Sequence, residues 1–206
     1  HDGHLEALAA SVRRAWERNG RADRLVMSFH GVPQRTLALG DPYHCECLAS
    51  GRQLAERLGL RAEQWVVTFQ SRFGRAEWLR PYTEPTLRQL AQAGVRSVDV
   101  VCPGFVADCL ETLEEIAIEG RQAFLDAGGQ AFHYIECLNE SAPFIDALAS
   151  LAEQHLGGWP TRRLTETQAA GLQQVNSSVN EMDKMTQQNA AMVEESTAAA
   201  RSLANE

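Results

Sequence analysis

Ser97-Val-Asp-Val-Val-Cys-Pro-Gly-Phe-Val-Ala-Asp-Cys-Leu-Glu-Thr-Leu-Glu-Glu-Ile-Ala-Ile-Glu119 decides the fold. A short apolar run, 97–102, reads as a buried strand; Pro103-Gly104 turns the chain, and a helix is expected over 108–126. That helix repeats a carboxylate every four residues, at Glu111, Glu115 and Glu119, so three acids share one face. Like charges at that spacing are mildly destabilising, so the row is either a solvated surface or an arrangement favoured by something other than helix stability.

Outward from this stretch the same alternation recurs. Strands are expected over 24–30, 64–69 and 131–136, and helices over about 5–16, 45–58, 84–93 and 141–156. Strands alternating with helices predict a parallel four-stranded sheet with right-handed crossovers and flanking helices. Such sheets bind ligands beyond the carboxyl ends of their strands. Those ends are His30, the loop Gln70-Ser71-Arg72-Phe73-Gly74, Pro103-Gly104-Phe105 and Leu138-Asn139, and the acidic row opens from the third.

His30 is the first candidate for proton chemistry, because imidazole exchanges a proton near neutral pH and a strand end holds it rigidly. The plainer alternative is a histidine capping its strand or hydrogen-bonded in the core. Imidazole facing several carboxylates suits two tasks, relaying protons or handing on a divalent metal such as iron. No Cys-x-x-Cys or His pair has the spacing of a structural zinc site. Cys45 and Cys47, one residue apart, read as ordinary thiols.

The 206 residues are 44% hydrophobic and 7% aromatic, enough for one sizeable globular domain and an appendage. No apolar run reaches the length of a membrane span, and a net charge of −8 argues against nucleic acid as a partner. Five cysteines form no regular framework, so reduced thiols in a cytoplasmic setting are expected. A first residue of His rather than Met suggests that the beginning of a longer protein is missing.

Composition changes at Trp159-Pro160. Residues 1–159 form one domain, 160–163 a junction, and 164–206 a tail with six acids and two bases, rich in Gln, Asn, Ser, Ala and Met. Leu172, Val175, Val179 and Met182, then Val193, Ala200 and Leu203, follow steps of three and four, the seam of a coiled-coil helix. Such a helix needs a partner to bury its seam, so self-association through 164–206 is expected.

The segments Ser28-Phe-His-Gly-Val-Pro33, Gly40-Asp-Pro-Tyr43, Phe69-Gln-Ser-Arg-Phe-Gly74 with Trp78 and Pro81, and Cys102 through Glu115 resemble ferrochelatase in order and spacing. The resemblance spans 1–159 and covers the C-terminal half of such an enzyme, a Rossmann-like (chelatase-type) α/β lobe. It implies a lyase of haem (porphyrin) biosynthesis that inserts Fe²⁺ into protoporphyrin IX; coproporphyrin remains open as the natural substrate. His30 falls on the family's catalytic histidine and Glu111 on the glutamate facing it. Glu115 and Glu119 match an acidic path that carries protons or metal. Phe105, Ser71 and Trp78 match positions near the porphyrin, and Asp41 and Tyr43 order a turn. Iron is a substrate here; no tightly bound cofactor and no iron–sulfur cluster are expected. With no counterpart of the family's first lobe in the chain, impaired activity is expected.

The tail segments Gly171-Leu-Gln-Gln-Val-Asn176 and Thr186-Gln-Gln-Asn-Ala-Ala-Met-Val-Glu-Glu-Ser196 resemble the signalling helix of methyl-accepting chemotaxis receptors. That resemblance implies methylation at Glu195. It also raises an alternative function, a coiled-coil signalling module carrying the lobe as a passenger.

Overall fold

The computed structural model of the chain describes residues 1–159, Gly171, 173–182 and Met185. Two compact units are present, His1–Leu156 and Gly157–Glu206. In the first, strands β1 (Arg24–His30), β2 (Trp65–Gln70), β3 (Ser97–Val101) and β4 (Ala131–Ile135) form one parallel sheet in the order β2-β1-β3-β4. Each lies within a residue or so of its expected position. The order places the switch in winding direction between β1 and β3, where the loops leaving the two strands diverge and open a crevice.

Alternation along the strands assigns the two faces. Leu25, Met27 and Phe29 of β1 and Val67 and Phe69 of β2 pack with Leu8 and Val12 of helix α1 (Asp2–Asn19) and Leu54 of α3 (Tyr43–Arg57). Phe144 of α7 (Ala142–Leu156) closes the same layer. On the opposite face Val26, Val98 and Val100 pack with Leu87 of α4 (Thr83–Gln92), Ile116, and Phe124 of α6 (Arg121–Asp126). Each such side chain, removed from water, contributes roughly 1.5–3 kcal/mol. By the two-residue period His30, Ser28 and Gln70 share the second face. That face also carries the acidic segment.

Two local departures matter. A short helix α2 (Gln34–Ala38) follows β1, where only a turn was expected. The continuous helix expected over 108–126 is instead a single turn α5 (Leu110–Thr112), a π-helical segment Leu113–Gly120, and α6. Hydrogen bonds across five residues widen the turn, and such segments are frequent at functional sites. The acid row therefore rides on a wider helix than its four-residue spacing suggests. Asp41 does order a turn, accepting the Tyr43 N–H at 2.9 Å as α3 begins.

In the second unit, positions 171, 173–182 and 185 are helical, with Val175 and Val179 exposed. Leu172, Glu195 and most of the remaining seam lie outside the described residues.

Candidate active site

At the carboxyl end of β1, Nδ1 of His30 is 2.6 Å from the Gly31 carbonyl. A carbonyl only accepts, so Nδ1 carries a hydrogen, and in the neutral ring Nε2 is the nitrogen that keeps a lone pair. The Tyr43 hydroxyl donates to the His30 carbonyl at 2.9 Å and steadies the strand end. Trp78 and Phe105 flank the imidazole, with ring centroids 6.3 and 6.2 Å away.

Trp78 is carried there by backbone pairing. Residues 77–79 run antiparallel to 32–34, with Gln34 N donating to Glu77 O at 2.8 Å and Leu79 N to Val32 O at 2.9 Å. Gly31 permits the approach, since a Cβ there would lie 2.9 Å from the Gln70 carbonyl oxygen and 3.1 Å from the Trp78 ring. Phe73, 76% exposed, rests against Trp78 at 5.2 Å and extends the aromatic surface outward.

Glu111 opens the acidic segment at an exposed position. Its carboxyl is held below the usual carboxylate range by its own backbone N–H, by the Cys109 thiol and by proximity to His30. Burial, and then the hydrogen bond to Glu111, push the Cys109 thiol up, so the sulfur keeps its proton and donates. An ionised carboxylate near a histidine with one free nitrogen is a proton-relay arrangement.

Glu115 is pinned. It accepts from the Ser71 N–H at 2.6 Å, the Ser71 hydroxyl at 2.7 Å and Gln70 Nε2 at 3.3 Å. Ser71 adopts φ of 65° to offer both donors. Ser71 is thus engaged with the acidic row while standing at the strand end where the resemblance sets the porphyrin. Glu119 lies farther along, lining a cavity of about 400 Å³ with Glu115, Glu84 and Arg88. Glu115 and Glu84 also line a second cavity, of about 350 Å³, with Ser71 and Phe73. Among the described residues no three His, Cys, Asp or Glu side chains converge closely enough to hold an ion. His30, Glu111, Glu115 and Glu119 therefore do not form one chelating cluster, each being carried by a different turn or strand end.

Three contributors had no role of their own in the sequence reading. Glu84 faces the acidic row from the first turn of α4, paired with Arg88 at 2.9 Å; an acid there reads as an ordinary complement to the helix dipole. Gln70 joins the sheet to the acidic segment, donating to the Glu111 carbonyl at 2.6 Å. Asp108 accepts from Tyr134 Oη at 2.6 Å, Asn139 Nδ2 at 2.8 Å and Cys137 N at 3.2 Å, while its own N–H donates to Asn139 Oδ1 at 3.0 Å. That clamp joins the loops after β3 and β4 just ahead of Glu111. Its faint signal in the sequence was Asn139 at the ligand edge after the fourth strand; the structure gives that residue a φ of 46°.

A doubly wound α/β lobe with a strand-end histidine, flanking aromatics and a carboxylate row at its switch point belongs to the proteins that handle a ligand on the sheet edge. A family model described as ferrochelatase matches residues 1–156, and the chain belongs to the ferrochelatase family. A ferrochelatase of Polaromonas sp. (strain JS666) is 63% identical over 171 residues, covering 82% of this chain and 47% of the relative. That of Methylibium petroleiphilum (strain PM1) is 64% identical over 164 residues, 79% of this chain and 45% of its own. That of Dechloromonas aromatica (strain RCB) is 63% identical over 165 residues, again 79% and 45%. The chain spans about half the length of the curated relatives it matches. The family match ends at residue 156, and these comparisons do not support the chemotaxis-receptor resemblance of the tail. Among the described residues no helix is long and apolar enough to cross a membrane.

Proposed function

We propose that the lobe takes part in inserting Fe²⁺ into a porphyrin, the chelatase step of haem synthesis, in the cytoplasm. The observation that carries this reading is the setting of His30. Its Nδ1 is engaged by the Gly31 carbonyl at 2.6 Å and two aromatic rings flank it, so in the neutral ring Nε2 is the nitrogen left to accept a proton beside an apolar macrocycle. Insertion exchanges one Fe²⁺ for the two pyrrole N–H protons, so both protons must leave. His30 accepts from the pyrrole nitrogen, the ionised Glu111 takes the proton on, and Glu115 and Glu119 continue the path for protons or arriving metal. Phe105, Trp78 and Ser71 are the porphyrin-binding residues of this reading, and Ser71 also holds Glu115 through its N–H and hydroxyl.

Iron insertion into protoporphyrin IX and into coproporphyrin tests the proposal, using the 206-residue chain alone and mixed with the first half of one of the relatives. Insertion in either setting that is lost in His30→Ala supports it. A variant as active as the parent removes His30 from the mechanism.

For the tail we propose self-association. Val175 and Val179, four residues apart on a helix and both exposed, favour it. Sedimentation of the chain with and without 164–206 measures it, and an unchanged mass would sink it. Modification at Glu195 is a separate proposal that mass spectrometry of the purified chain tests.

A further inference from the structure

Gln70 ends β2 and is 3% exposed. Its Nε2 donates to the Glu111 carbonyl at 2.6 Å and to Glu115 at 3.3 Å, while its Oε1 accepts from the Ser28 hydroxyl at 2.7 Å. Two acceptors on one side and a hydroxyl donor on the other leave the amide a single satisfied orientation. Ser28 is itself 2.8 Å from the Thr83 hydroxyl, which is 2.9 Å from that of Thr68, and all four side chains are buried. A connected buried network of this kind helps to hold in place what it touches. Gln70 also stands opposite His30 in the β1–β2 ladder, and its own carbonyl accepts the Gly31 N–H at 2.8 Å.

The path from base to acid is therefore short: His30, the ladder, the Gln70 amide, the Glu111 backbone. We propose that Gln70 is a positioning residue that sets the spacing between His30 and Glu111 for iron insertion. It acts through the Glu111 carbonyl and the Glu115 carboxylate, and its burial keeps it away from the substrate. This deepens the proposed reaction and rests on it. The π-helical segment begins two residues after Glu111, so the tether holds the acidic row at the point where the helix changes its winding. A shift of an ångström between reacting groups is enough to slow a positioned reaction severely.

Two variants separate positioning from mere support. Gln70→Leu removes every side-chain hydrogen bond at similar size. Gln70→Glu keeps a donor and an acceptor while its carboxyl is protonated, and sets a negative charge against the Glu111 carbonyl and Glu115 once it ionises. In the insertion assay, Gln70→Leu is expected to lower kcat about tenfold with KM for the porphyrin within about twofold. Gln70→Glu is expected to be equally impaired at alkaline pH and to recover toward the parent as pH falls.

Hydrogen exchange on the 206-residue chain supplies a second readout, with amides of 113–120 exchanging about tenfold faster in Gln70→Leu and those of β1 unchanged. An unchanged kcat, a loss confined to KM, or unchanged exchange over 113–120 overturns the assignment. If the parent inserts no iron in any setting, the proposed reaction fails, and the exchange measurement alone decides whether Gln70 holds the segment.

Discussion

The Nδ1–H of His30 donates to the carbonyl of Gly31, its neighbour in the chain, at 2.6 Å. The bond is local, so it forms wherever β1 ends and the chain turns at Gly31, and it orients the ring without help from a carboxylate behind it. His30→Ala is expected to reduce iron insertion by about 10²–10⁴-fold, the usual contribution of a general base. Because the ring is only half-buried, thermal unfolding should move by no more than a few degrees. Parallel insertion and melting measurements check both halves of the expectation.

Glu115 and Ser71 form a lock between the acidic segment and the end of β2. Glu115→Ala leaves the Ser71 amide and hydroxyl without their acceptor and is expected to cost about 1–3 kcal/mol. Glu119→Ala, at an exposed position, should stay within about 0.5 kcal/mol of the parent. Urea denaturation of the two variants measures the contrast, and equal stabilities would mean that the lock contributes nothing to folding.

Asp108 gives the acid limb of the stability curve. Burial works against its charge, but hydrogen bonds from Tyr134, Asn139 and Cys137 prevail and hold its carboxyl below the ordinary 3.8. The unfolded chain therefore takes up this proton at higher pH than the folded one. Stability from the clamp is fully present above about pH 3.8 and is lost as pH falls through the lower folded value. Asp108→Asn should be less stable than the parent at neutral pH and show a flatter acid limb, which denaturation at a series of pH values resolves.

His4 acts near neutrality. Burial depresses its pKa below 6.5, against the raising effect of the Pro103 carbonyl 3.3 Å from Nε2, and its ring packs edge-on against Phe144 at 5.7 Å. Below about pH 6.5 the unfolded chain binds the proton more readily, so stability declines as pH falls from there toward the folded value. Replacing His4 with Asn should remove that slope, as melting temperatures between pH 5 and about pH 7.5 will show.

Gly31 has no room for a methyl group. Gly31→Ala would press on the Gln70 carbonyl and the Trp78 ring and is expected to destabilise the lobe by about 1–3 kcal/mol. It should also slow insertion by displacing His30. A variant with unaltered melting and unaltered activity would show that the neighbouring segment yields freely.

Much of this architecture was legible in the chain. Strand runs such as 24–30 and 97–102 are apolar because both faces of the sheet are covered, and that signal located all four strands. His30 stood out because a titratable ring closes an apolar run, and Glu111, Glu115 and Glu119 because their spacing is regular. The π-helical winding was hidden, since a stretch rich in Leu, Glu, Ile and Ala carries good α-helix formers and its hydrogen-bond register is settled by packing. Gln70 and Asp108 were hidden for a related reason. A single amide at a strand end, or a single carboxylate in a loop, has no period, and only its partners reveal its role.

The amino-acid sequence alone therefore determined the layered α/β class, the strand ends and the residue types available for proton chemistry, because burial and local propensity act on neighbouring residues. Tertiary structure alone decided which of those residues meet. The order β2-β1-β3-β4 sets Gln70 opposite His30 and brings Glu111, some eighty residues downstream of that histidine, close enough for His30 to help hold its carboxyl down. Hydrogen bonds between distant segments, from Gln70 to Glu111, from Ser71 to Glu115 and from Asn139 to Asp108, then hold the acids where they stand. Their strength depends on distances of a few tenths of an ångström, which no spacing along the chain encodes.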